Sequence, residues 1–256
     1  MPAVLKKISC LLQSGIIEVG NSEVGNKVAI GTFWSIFLNV ASRCLGLISI
    51  LVLTRLITPY DLGVYAAAAI IIELVTILTE VGIYPVLIHR KNPSIRFYQT
   101  AWTIQVIRGV LIFLIVQLVV EYFIHLYTDD DAIRDVIQVI SITLLINGFS
   151  SIYLVDFQKK MDFKSLAKFQ MTCRFIGFFT TIISAYILQS FWALVIGGIV
   201  AAAARLLLSH IYAFGPHRFT LKSSNELLGV SRWMLVHEIS SFISLKADTV
   251  LITRFL

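Results

Sequence analysis

From Gly31 to Leu56 the chain carries only two charged side chains, Arg43 and Arg55, and six more long apolar stretches follow. A helix needs about 20 apolar residues to cross a hydrocarbon core about 30 Å thick. The stretches run over 31–56, 63–87, 101–123, 136–155, 169–188, 191–213 and 227–252. They predict an all-α membrane protein, a polytopic bundle of about seven transmembrane helices. The composition agrees, with 57% hydrophobic and 14% charged residues, where a soluble chain is about one quarter charged. It excludes a cytosolic enzyme, a disordered chain and a secreted disulfide scaffold. Cys10, Cys44 and Cys173 read as small apolar residues without a bridge.

The interruptions carry turn chemistry: Thr58-Pro59-Tyr60-Asp61, Lys91-Asn92-Pro93-Ser94, Thr128 to Asp131 and Gly215-Pro216. Residues 1–30 show no secretory cleavage site and hold Lys6 and Lys7. They read as a cytoplasmic segment with a short interfacial helix, disorder being the alternative. Residues 31–256 read as the transmembrane lobe.

Orientation follows from the basic residues. The N-terminal segment and the even-numbered loops hold twelve Lys and Arg, among them Arg90, Arg96, Lys159, Lys164 and Arg218, whereas the odd loops hold only Arg55 and Arg134. This asymmetry places the N-terminus and the even loops in the cytoplasm. It also accounts for most of the net charge of +6, so nucleic-acid binding drops out.

Several charges remain inside the spans. Arg43, Arg108, Arg174 and Arg205 lie in spans one, three, five and six; Glu73 and Glu80 share the second; Asp248 lies in the seventh. A charge at the bilayer centre costs about 2.5–3.5 kcal/mol even on the gentler scale, so such residues face water, pair or snorkel. Polar residues recur with them at three- and four-residue steps. Thr32, Ser35, Asn39 and Arg43 line one face; Glu73, Thr76 and Glu80 another; Gln170, Arg174, Gly177 and Thr181 a third. Gln105 and Arg108 form a shorter stripe, and His237, Ser241, Ser244 and Asp248 another.

At about 1.5 Å per residue, Arg108, Arg174 and Arg205 fall roughly 8–15 Å inside the cytoplasmic boundary and Arg43 roughly 18 Å inside it. Arginines at one level in separate helices suit a basic vestibule for phosphate or diphosphate, because the planar guanidinium bonds two oxygens at once. The structural alternatives are snorkelling for Arg108, Arg174 and Arg205, and an ion pair with Glu73 or Glu80 for Arg43. The small residues from Gly197 to Ala204 read as a helix-packing face.

No enzyme chemistry is visible: there is no glycine-rich phosphate loop, HExxH, GxSxG or paired-cysteine motif, and no metal or cofactor is predicted. Asp129-Asp130-Asp131 reads as negative charge at a helix start, in preference to a metal or diphosphate motif.

Five segments carry a family resemblance. They are Leu53 to Gly63 (LTRLITPYDLG), Glu80 to Lys91 (EVGIYPVLIHRK), Asp156 to Lys164 (DFQKKMDFK), Phe191 to Val195 (FWALV) and Ala247 to Leu256 (ADTVLITRFL). In this order they resemble the Wzx-like lipid-linked oligosaccharide flippases of the multidrug/oligosaccharidyl-lipid/polysaccharide superfamily. Thr253 stands where the family has glycine. The resemblance implies a bacterial inner-membrane transporter, with polysaccharide polymerase and other assembly proteins as partners. It would move an undecaprenyl-diphosphate-linked repeat unit across the membrane for O-antigen, capsule or exopolysaccharide synthesis. Family members are longer, two-lobed chains working by alternating access, so these residues correspond to an N-terminal lobe. On this reading Arg43, Arg108, Arg174, Arg205, Asn39, Gln105 and Gln170 line the substrate cavity. Glu73, Glu80 and Asp248 pair with them or couple an ion gradient. Two rivals stay open: a drug or metabolite exporter of the same superfamily, and a membrane assembly protein without transport.

Overall fold

A computed structural model describes residues 23–79, 82–90, 93–127, 131–213 and 215–221. The described residues are predominantly helical. The long helices are α1 (Glu23–Leu56), α2 (Pro59–Leu78), α4 (Ile95–Tyr127), α8 (Phe163–Leu188) and α9 (Trp192–Tyr212). Among the described residues, five helices are long and apolar enough to cross a membrane. Shorter helices fill the gaps: α3 (Ile83–His89), α5 (Asp131–Ile140), α6 (Ile142–Gly148) and α7 (Val155–Lys159), with a 3₁₀ turn at Ile152–Leu154. The seventh predicted span, Glu80, Asp248, residues 1–22 and Cys10 lie outside the described residues.

Two of the predicted continuous spans are broken. The stretch 63–87 splits into α2 and α3, with Gly82 between them at φ 60°. Glycine takes this left-handed conformation without the steric cost of a Cβ. The stretch 136–155 splits into α5, α6, the 3₁₀ turn and α7, and its two halves meet at a 68° bend, making a sixth span only if counted as one. Apolar continuity gives no sign of either break, because the same Leu, Ile and Val serve a straight span or a bent one.

The helix starts follow local chemistry. Thr58 accepts from the Asp61 backbone N–H at 3.2 Å with Pro59 at the first helical position, so the predicted turn also caps α2. Ser94 Oγ accepts from the Phe97 N–H at 3.3 Å and begins α4 before the apolar stretch does. Asp162 likewise accepts from the Ser165 N–H and starts α8 at Phe163 rather than Phe169. Asp131 opens α5 and pairs with Arg134 at 3.5 Å, which suits a helix N-terminus.

Packing joins these helices into a lobe. α8 lies against α1 on one side and α9 on the other; α9 in turn meets α6 and α5. α4 packs on α5 and α6, and α2 on α5. A Cβ on Gly177 would come within 2.8 Å of the Ala201 Cβ, and Gly197 rests against Thr181, so small residues let α8 and α9 approach closely. Gly109 and Gly148 do the same for α4 and α6. Leu118 (76%), Ile187 (72%) and Leu51 (68%) are mostly exposed, as expected of faces solvated by lipid.

Candidate functional site

The two breaks and α4 enclose a cavity of about 480 Å³. Ile72 and Thr76 of α2 and Gly82 to Tyr84 form one wall. Gln105, Arg108 and Gly109 of α4 form the next, followed by Thr143, Asn147 and Gly148 of α6. Gln170 of α8 and Arg205 of α9 complete it. The structure thus brings together four of the seven predicted cavity residues: Gln105, Arg108, Gln170 and Arg205.

Arg108 does not reach for a membrane surface. Its Nη2 donates to the Thr76 carbonyl at 2.9 Å and to Thr79 Oγ1 at 3.5 Å. Thr76 and Thr79 also turn their hydroxyls onto the Ile72 and Val75 carbonyls at 2.7 and 2.5 Å. Near the end of α2 the Thr76 carbonyl therefore receives both the guanidinium and, at 3.2 Å, the Thr79 hydroxyl. Arg205 is exposed, one helix away, with its charge free to meet an anion at the cavity.

Gln105 has a role that its place in the sequence did not reveal. Its Nε2 lies within 3.2–3.3 Å of the carbonyls of Asn147, Gly148 and Ser150 and of Ser150 Oγ. It caps the C-terminus of α6 at the break. Gln105 is only 8% exposed, and among the described residues no donor reaches its Oε1. Asn147 Oδ1 is in the same condition. Thr143, Asn147 and Ser150 recur at four- and three-residue steps in the fourth stretch, a signal that could have found them; they were missed because no charged residue accompanies it.

The remaining predicted residues stand elsewhere. Asn39 and Arg43 are exposed on α1, Arg174 on α8 and Glu73 on α2, and none of them lines this cavity. Among the described residues no ion pair joins Arg43 to Glu73. Gly177 and Thr181, read as part of a polar stripe, belong instead to the α8–α9 contact, where Thr181 Oγ1 donates to the Gly177 carbonyl at 2.8 Å. Arg174 stands one turn beyond Gln170 on α8 and is exposed, but does not line this cavity.

Behind α4 a second feature closes the same end of the lobe. The segment following α9 crosses the start of α4, where Gln99 Nε2 donates to the Pro216 carbonyl at 3.1 Å and the Thr220 N–H to Thr103 Oγ1 at 3.1 Å. His217 lies between Trp102 and His210, with ring centroids 5.1 and 4.7 Å away. Burial first, and then the neighbouring His210, hold its pKa below the ordinary 6.5.

Residues 52–256 match the family described as polysaccharide biosynthesis protein, a range that begins near the end of α1 and takes in every later helix. The chain belongs to this family. Among its relatives is the lipopolysaccharide biosynthesis protein WzxC of Escherichia coli (strain K12), 26% identical over 239 residues, which are 90% of this chain and 47% of WzxC. An uncharacterized membrane protein in the cps region of Klebsiella pneumoniae is 22% identical over 230 residues, 88% of this chain and 47% of that protein. The chain spans about half the length of these curated relatives. No solved structure matches it. This member of the polysaccharide biosynthesis family is a multi-pass helical membrane protein.

Proposed function

We propose that the chain is the N-terminal lobe of a flippase that carries undecaprenyl-diphosphate-linked oligosaccharide units across the bacterial inner membrane, with its N-terminus cytoplasmic. The observation that carries this reading is the presence of Arg108 and Arg205, from two separate membrane-spanning helices, on one cavity. A guanidinium within a membrane protein is costly and marks a path for an anion. A diphosphate is the anion that a lipid-linked sugar brings to this depth, while its hydrocarbon tail stays against the apolar outer faces. The family and the name of the WzxC relative support the same direction. The protein would act as a transporter without catalysis, with the bilayer and the lipid-linked sugar as partners. Glu73, Glu80 and Asp248 are proposed to balance the arginines or to couple an ion gradient, and Arg43, Arg174 and Asn39 to meet the substrate outside this cavity.

Export of surface polysaccharide tests the proposal. Arg205→Ala at unchanged membrane abundance lowers export about tenfold or more, and Arg205→Lys restores part of it. Full export with Arg205→Ala contradicts the anion path through this cavity.

A further inference from the structure

The cavity's polar groups divide by what they can still bond. Thr76, Thr143 and Ser150 spend their hydroxyl protons on the Ile72, Ile140 and Asn147 carbonyls at 2.6–2.7 Å. Gln105 spends its Nε2 on the end of α6. Among the described residues two buried amide oxygens of this wall have no donor, Gln105 Oε1 and Asn147 Oδ1. They belong to adjoining parts of one wall, since the Gln105 side chain bonds the Asn147 backbone at 3.2 Å. Each such buried acceptor weakens the fold until a donor reaches it.

We propose that Gln105 and Asn147 form a hydroxyl-recognition site that takes the sugar nearest the diphosphate of the transported lipid. This rests on the flippase reading and adds a substrate feature to it. A diphosphate offers only acceptors, so the arginines can hold it and the two amide oxygens cannot. A hydrocarbon tail offers neither donors nor acceptors. A sugar ring offers hydroxyl donors, and Gln105 stands one helical turn from Arg108 on α4, about 5 Å along the axis. Anionic group and adjoining sugar would therefore meet cation and acceptor in sequence along a single helix. Both oxygens are shielded from water in this conformation. Rotation of the half-buried Asn147 side chain at the end of the short α6 accompanies binding.

The test compares binding of two probes to the purified full chain: polyprenyl diphosphate bearing one hexose, and the same lipid without the sugar. The unaltered protein binds the sugar-bearing probe about tenfold more tightly, equivalent to about 1.4 kcal/mol. Asn147→Leu keeps the side-chain size, removes the acceptor and leaves the backbone carbonyl for Gln105; it brings the two affinities within about twofold. Should that variant misfold, a series of deoxyhexose probes on the unaltered protein reads the same preference, which falls when one hydroxyl is removed. Equal binding of both probes by the unaltered protein, a tenfold preference surviving in Asn147→Leu, or indifference to every deoxy position overturns the proposal. Arg205→Gln separates the two readings. It weakens both probes if the anion path is right, and unchanged affinity for both contradicts the flippase cavity itself.

Discussion

Arg108 of α4 donates from Nη2 to the carbonyl oxygen of Thr76 at 2.9 Å, so a guanidinium at the cavity also fastens the end of α2. Two arginines that look alike in the sequence thus differ in kind. Arg108 is tied into the structure, whereas Arg205 is exposed.

Stability separates them. Arg108→Ala leaves the Thr76 carbonyl without its charged donor and lowers stability by about 1–3 kcal/mol. Arg205→Ala leaves stability within about 0.5 kcal/mol, as for most exposed substitutions. The midpoint of thermal aggregation in detergent reads the difference, and equal midpoints would remove the structural role of Arg108.

Removing the cap that Gln105 provides loosens the bend. Gln105→Leu removes the amide donor shared by the Asn147, Gly148 and Ser150 carbonyls, leaving Asn147 only its Ser150 donors, and costs about 1–3 kcal/mol. Hydrogen exchange then rises at residues 146–151 before it rises in α8 or α9. Unchanged protection there counts against the cap.

Close packing of α8 and α9 makes a size test. Gly197 meets Thr181 directly, whereas Gly46 has nothing within 4 Å of a Cβ position. Gly197→Leu is destabilising by about 1–3 kcal/mol through overpacking, and Gly46→Ala is tolerated. Thermal midpoints in detergent distinguish the two, and similar midpoints would refute the close contact.

The segment after α9 responds to pH through His217. Its folded pKa is depressed, so the unfolded or detached form binds the proton more readily. The contribution to stability is therefore complete above the ordinary histidine pKa of about 6.5 and lost as pH falls from there through the folded value. Fluorescence of Trp102, with Trp34, Trp192 and Trp233 replaced by Phe, follows this detachment because Trp102 touches both His217 and Phe219. His217→Gln flattens the pH profile between about 5 and 7. A profile that survives the substitution assigns the effect to another group.

The class of fold was legible because lipid demands long apolar helices, and the stretches holding α1, α4, α8 and α9 announce themselves by length alone. Packing of Gly197 through Ala204 was legible too, since small residues have few other uses in a span. The breaks near Gly82 and at Gly148 to Ser151 were not, because hydropathy reports burial in lipid and says nothing of backbone direction. That is why the site was only partly read. Helical spacing placed Gln105 beside Arg108, whereas Asn147 lies in the fourth stretch, where no charged residue marks it. Arg174 was counted in on depth and on the polar stripe it shares with Gln170, and of the two only Gln170 lines the cavity.

The central claim is that the cavity lined by Gln105, Arg108, Gln170 and Arg205 is wet and receives a lipid-linked diphosphate. Gln170→Cys, made in a protein without Cys10, Cys44 and Cys173, tests it with a membrane-impermeant thiol reagent applied from the predicted cytoplasmic side. The thiol reacts, and polyprenyl diphosphate slows the reaction about tenfold while the uncharged polyprenol does not. A thiol that never reacts from water, or one that both lipids leave equally reactive, would contradict the account.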